Sequence, residues 1–155
     1  MTYQVDIQTE VEAPEGSDEI LETAISITLE QHAVPSVSLT LLLTNNTNMQ
    51  RLNRDFRGMD KPTDVLSFPA GDLLPGTREA IPYLGDIAIS LPVAKNQAHV
   101  RGHTLIAELQ LLVVHGVLHL LGYEHMLPEE KERMWSAQEQ ILNLLGLHDV
   151  IPTEA

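Results

Sequence analysis

An apolar run from Thr104 to Gly122 constrains this chain more than any other stretch. It is apolar enough to raise the question of a membrane span. Glu108, Gln110, His115 and His119 interrupt it, and each is costly in lipid. The remaining reading is a helix buried in protein that starts at His103 or Thr104. On that helix His115 and His119 are spaced i, i+4, so they share one face about 6 Å apart along the axis and both reach one metal ion. His125 would sit about 15 Å from His115 if the helix ran on. Gly122 is where a left-handed C-terminal cap carries no Cβ penalty, and a turn there brings His125 back as a third ligand. Three neutral nitrogens with one open position form the donor set of a catalytic zinc site, whereas structural sites close with four protein ligands. A single histidine on an apolar helix would read as a hydrogen-bonded core residue. The i, i+4, i+10 pattern with a glycine at the turn points instead to one zinc ion per chain.

The spacing resembles the metzincin peptidase signature H-E-x-x-H-x-x-G-x-x-H. Gly116, however, stands where those enzymes place the glutamate that activates water, so ordinary peptidase chemistry lacks its base. The stretch His115-Gly116-Val117-Leu118-His119-Leu120-Leu121-Gly122-Tyr123-Glu124-His125 is instead similar to H-G-x-L-H-L-x-G-Y-[DE]-H, a signature of the YbeY family of bacterial endoribonucleases, which mature ribosomal RNA. A second block, from Arg57 through Asp60, Pro62, Thr63 and Asp64 to Val65-Leu66-Ser67-Phe68-Pro69, resembles that family's R-x-x-D-x-P-T-D-V-L-S-F-P. Leu84-Gly85-Asp86-Ile87 is similar to its G-D-I strand. The resemblance spans essentially the whole chain. It implies a zinc-dependent, single-strand-preferring endoribonuclease acting in 16S rRNA 3′-end maturation and ribosome quality control. The implied partners are ribosomal RNA, the small ribosomal subunit, one of its proteins and a ribosome-associated GTPase.

At 155 residues one domain covering 1–155 is expected, long enough to bury a core. With no cysteine there is no disulfide framework and no thiolate ligand or nucleophile, which fits a cytoplasmic location. Met1 to Asp6 has neither a basic region nor an apolar run, so no signal peptide is expected. The net charge of −13 argues against a nuclease, because phosphates are bound chiefly through Lys and Arg. Four of the nine basic residues, Arg51, Arg54, Arg57 and Lys61, nevertheless fall in one short window. A cationic corner on an acidic body, with weak nonspecific RNA affinity, is the expectation.

Tyr3 to Gln8 alternates as a half-buried strand, and Ser17 is expected to cap a helix reaching about His32, itself an ordinary helix-end residue. Val37 to Thr44 reads as a central strand. Asn45 or Asn46 caps a short helix through Met49, Leu52 and Phe56, ending at Arg57. A short strand follows over Val65–Phe68, then a long irregular loop over 69–83, then a strand over Leu84–Ser90. Pro92 opens a helix that ends near Gly102, a break that separates His99 from His103 and argues against both as ligands. A last helix runs from Pro128 to Gly146, with a tail from His148 to Ala155. Four or so strands and five helices in mixed order indicate an α+β domain, one mixed sheet packed with helices. The resemblance implies the same fold, with the long central helix across the sheet.

The chemistry expected of this set is specific. Zinc lowers the pKa of its bound water to about 7, so a glutamate base is not required. Arg57, which matches the family's functional arginine, is expected to bind the scissile phosphate and stabilise charge in the transition state. Asp64 and Asp86 are candidates to orient a ligand or Arg57, and equally to cap turns or strand ends. Gly116 is read in two ways: a bare position that lets an anionic strand approach, or a close approach of a neighbouring strand that leaves no room for a Cβ. Two other functions compete, an assembly factor whose zinc is mainly structural and, disfavoured by Gly116, a metallopeptidase.

Overall fold

The structure is a computed structural model, described here for residues 2–70, 81–148 and 150. In chain order the elements are β1 (Tyr3–Thr9), α1 (Ser17–Gln31), β2 (Val37–Thr44), α2 (Asn46–Arg57), β3 (Val65–Pro69), β4 (Tyr83–Ser90), α3 (Leu91–Arg101), α4 (Leu105–Leu120) and α5 (Pro128–Leu144). They build one four-stranded sheet in the order β1-β2-β4-β3. The first three strands of that order are parallel, and β3 lies antiparallel on the edge. This is the expected α+β fold, a mixed sheet packed with five helices. The loop expected over 69–83 falls mostly, and the tail over 148–155 partly, outside the described residues.

Alternation along the strands sorts side chains onto two faces. Val37, Leu39, Leu41 and Leu43 of β2, with Ile87 and Ile89 of β4, point to a near face covered by α1, α4 and α5. Leu66 and Ala88 point to the far face, where α2 lays Met49 over them. As its two-sided apolar sequence indicated, β2 is central. The helix ends follow their local chemistry, with Asn45, Ser90 and Thr104 each accepting a backbone N–H at an N-terminus. The first helix differs from expectation. Gly16, at φ 78°, is its N-cap, and Ser17 is a buried helical residue rather than the cap. A left-handed entry that glycine adopts freely takes the place of a side-chain cap.

Nearly every side of α4 is buried. Glu108 near its start is fully buried but not unpaired, because Arg101 lies 3.2 Å and His103 2.8 Å from its carboxylate. The expected break at Gly102 lies between His99, on α3, and His103, which this bond holds on Glu108. Among the described residues no single helix is long and apolar enough to cross a membrane.

The sheet comes very close to α4 at Gly116. A Cβ there would stand 2.9 Å from Cγ2 and 3.2 Å from Cδ1 of Ile87, and 3.3 Å from the Ser67 hydroxyl. Ile87 is fully buried, so both of its arms are held. Of the two readings of Gly116, packing is the one these contacts support. Gly116→Ala is therefore expected to destabilise. Overpacking of about 1–3 kcal/mol outweighs the roughly 1 kcal/mol that alanine gains in helix propensity. Thermal melts should show a midpoint lower by a few degrees, and an alanine variant melting at or above the parent would restore the access account.

Candidate metal centre

His115 and His119 lie on the last turns of α4, with Nε2 atoms 3.1 Å apart. The helix then closes as its glycine required. Gly122 takes φ 101°, its N–H bonds the His119 carbonyl at 3.0 Å, and the Tyr123 N–H bonds the Leu118 carbonyl at 3.0 Å. This paired reverse bonding is the Schellman end of a helix, and a residue with a Cβ is strained at its glycine position. The chain turns back, and one ligand atom from each of His115, His119 and His125 falls within 4.8 Å of the others. Ring centroids are 4.7, 5.0 and 5.7 Å apart, and Trp135 of α5 walls His115 and His125 at 5.9 and 5.8 Å. Two ligands of one tetrahedral ion bonded at 2.0–2.1 Å are separated by about 3.3 Å. The donor set therefore fits a transition metal.

Hydrogen bonds on the outer ring nitrogens decide which way the lone pairs point. His115 Nδ1 donates to Gln138 Oε1 at 3.0 Å, because an amide oxygen can only accept. His119 bonds the backbone of Tyr123, and its Nδ1 lies 3.9 Å from a Glu124 carboxylate oxygen. His115 is then the Nδ1–H tautomer with Nε2 free to bind a cation, and His119 turns its own Nε2 to the same point. Burial pushes the His115 pKa down to about 4, with His119 and His125 adding to the effect and the bond to Gln138 opposing it. Burial also lowers the pKa of His119, with further contributions from His125 and from the positive charge of Arg57. The site favours neutral imidazoles, the form a metal needs.

Arg57 reaches this corner from the other side of the sheet edge. Its Nη2 donates to the Ser67 carbonyl at 2.6 Å, and its guanidinium lies 5.5 Å from the Phe68 ring centroid. The Ser67 hydroxyl in turn donates to the Gly116 carbonyl at 3.0 Å, joining β3 to the helix of His115 and His119. Arg54 pairs with Asp55 at 3.2 Å and approaches Asp60 at 3.9 Å. Among the described residues no carboxylate pairs with Arg57.

The two aspartates do other work. Asp64 is buried, and its side chain accepts from the Val65 N–H at 2.7 Å, from Thr63 at 3.4 Å and from Gln97 of α3 at 3.4 Å. It caps the entrance to β3. Asp86 is exposed on the far face, opposite the side on which Ile87 meets Gly116, and accepts a hydrogen bond from the Tyr83 hydroxyl. Asp86 stands within β4 rather than at its end, and among the described residues these contacts do not bring either carboxylate to a histidine or to Arg57.

A family model described as endoribonuclease YbeY matches residues 4–146. A relative of that description from Geobacillus thermodenitrificans is 42% identical over 156 residues, covering 95% of this chain and 99% of its own. Another from Desulforamulus reducens is 39% identical over 145 residues, covering 92% and 95%. The chain belongs to the YbeY family. A solution structure of a Thermotoga maritima protein is 25% identical, with a TM-score of 0.56 over 92% of this chain and 91% of that one.

Two residues that sequence reasoning missed support the YbeY signature stretch. Gln138 is fully buried, and its signal was a polar residue on the apolar stripe of Met134, Ile141 and Leu142. His32, read as an ordinary helix-end residue, bonds the Thr28 carbonyl through Nδ1 at 2.8 Å and the Tyr123 hydroxyl through Nε2 at 3.0 Å. It ties the loop carrying His125 to α1, a contact no local pattern announces. Gln138→Leu should keep the fold while weakening metal affinity on the order of 10- to 100-fold, read by competition with a chelator; unchanged affinity would remove Gln138 from the site. A pH effect follows from His115. Between its ordinary pKa of 6.5 and the folded value of about 4, the unfolded chain binds a proton that the folded chain refuses. Metal-free protein should therefore melt at progressively lower temperature as pH falls through that window. A melting temperature flat across it would show that His115 is not held neutral.

Proposed function

We propose that this chain is a zinc-dependent, single-strand-preferring endoribonuclease of the cytoplasm, acting in 16S rRNA 3′-end maturation and ribosome quality control. The observation that carries the reading is the convergence of His115, His119 and His125 beside Arg57, an arginine with no carboxylate partner among the described residues. His115, His119 and His125 would hold the ion, which when bound supplies Lewis acidity to an oxygen of water or phosphate. Gln138 keeps His115 in the tautomer that presents Nε2. Arg57 uses one donor on the Ser67 carbonyl, which fixes its fork and leaves its other N–H groups for a phosphate. Charge that builds on the phosphate in the transition state is then met by a preset cation.

The substrate is RNA within the small ribosomal subunit, and the partners are one of that subunit's proteins and a ribosome-associated GTPase. With a net charge of −13, the chain relies on such partners more than on bulk attraction to naked RNA. A purely structural zinc is less well supported, since structural sites close with four protein ligands and the cluster here has three. A peptidase glutamate at position 116 would be driven into Ile87.

Arg57 is exposed, so Arg57→Ala should keep fold and metal content while reducing cleavage of single-stranded RNA on the order of a hundredfold or more. Melting temperature, bound metal and cleavage rate are measured on the same preparation. An early-melting variant whose rate falls only with its unfolded fraction would assign Arg57 a structural role. Activity indifferent to both Arg57 and chelator would point to a contaminating ribonuclease.

A further inference from the structure

The far face of the sheet carries a cleft of about 410 Å³ that the metal centre does not use. Leu42, Leu52, Phe56 and Phe68 give it apolar walls, and Gln8, Thr40 and Asp86 line its polar part. The Phe56 ring is 63% exposed, though it lies only 5.3 Å from the Phe68 ring. The Tyr83 hydroxyl donates to Asp86 Oδ1 and lies 2.8 Å from Thr40 Oγ1, which fixes the carboxylate. No donor among the described residues reaches Asp86 Oδ2.

We propose that this cleft is a nucleobase pocket that selects guanine next to the scissile phosphate, an inference resting on the endoribonuclease reading above. Three features carry it. Unstacked bases of single-stranded RNA are held on exposed aromatic faces, which Phe56 supplies with the half-buried Phe68 beside it. Phe68 is shared between the two sites: it lines the cleft and lies 5.5 Å from the guanidinium of Arg57. A phosphate on Arg57 and a base in the cleft are thus neighbours on the scale of one nucleotide. Finally, a carboxylate only accepts hydrogen bonds. Guanine alone presents two adjacent donor groups on its Watson–Crick edge, N1–H and N2–H, whereas each of the other three bases has one donor group beside one or two acceptors. The negative charge of Asp86 repels phosphate and admits a neutral base, which orients the strand with its backbone toward Arg57.

The test compares uridine-rich oligoribonucleotides carrying one guanosine, one inosine or none, with metal-loaded full-length protein. Inosine keeps N1–H and lacks the N2 amine. Losing one hydrogen bond to a charged acceptor should weaken binding on the order of tenfold, read by fluorescence anisotropy, with cleavage followed in parallel. Asp86→Asn should bring the guanosine-to-inosine ratio toward one, and Phe56→Ala should weaken both. The inosine comparison needs no variant, so a misfolded mutant cannot mask the answer. Cleavage of all oligomers with equal affinity for guanosine and inosine overturns the pocket and leaves the endoribonuclease reading standing. Absence of cleavage with the guanosine preference intact does the reverse. Affinities unmoved by both variants would assign the face to a protein partner and overturn the proposal.

Discussion

The close approach of α4 to the sheet is the constraint on which the site depends. Gly116 lets the helix settle against Ile87, and at that separation the Ser67 hydroxyl reaches the Gly116 carbonyl. Ser67 then acts in two directions. Its hydroxyl holds the helix of His115 and His119, and its carbonyl holds Arg57. A short edge strand thus sets the spacing between the histidine cluster and Arg57. A wider helix–sheet spacing would break the first bond and leave Arg57 fixed to a strand that no longer registers with the histidines. Precision of this kind comes from interior packing, which changes in discrete steps rather than by smooth deformation.

How much of this was legible follows from the range of each interaction. The three-histidine cluster was readable because it is local: His115 and His119 share a helix, and Gly122 carries the turn that returns His125. The element order was readable from periodicity and caps, and the miss at Ser17 came from a glycine whose left-handed conformation served instead. Asp64 and Asp86 resisted because their roles depend on partners distant in sequence or on which sheet face a strand presents. Gln97 meets Asp64 from α3, and Thr40 stands beside the Tyr83–Asp86 pair from β2. His32 is the extreme case, since its partner Tyr123 lies 91 positions away. Gly116 could be posed as a question by sequence, but only the position of Ile87 answers it.

Charge is distributed so that the acidic body and the anionic substrate can coexist. Within the cationic window, Arg54 is partly neutralised by Asp55 and Asp60, while Arg57 binds a neutral carbonyl and meets no carboxylate among the described residues. One such guanidinium steers little over long range, because salt screens exposed charge beyond about 10 Å. Its value is local, beside low-dielectric walls such as Phe68, where a fixed cation acts more strongly than in water. Recognition built this way favours a substrate delivered and held by other contacts over one captured by general attraction.

The metal cluster illustrates why such a site resists being only structural padding. His115 Nε2 and His119 Nε2 aim at one point from 3.1 Å apart, and the outer nitrogen of His115 is committed as a donor to Gln138. Protonating His115 would place a charge in that cluster, and burial works against it, the pKa falling to about 4. The fold therefore gathers buried, neutral imidazoles at a cost to the protein by itself, in an arrangement that suits a divalent ion. Packing elsewhere must offset it, and the helix–sheet contact at Gly116, the Schellman turn at Gly122 and the Tyr123–His32 bond are the devices nearest the cluster. Each holds an imidazole where the protein's own electrostatics would not place it, which is the relation between stability and function expected of a binding site.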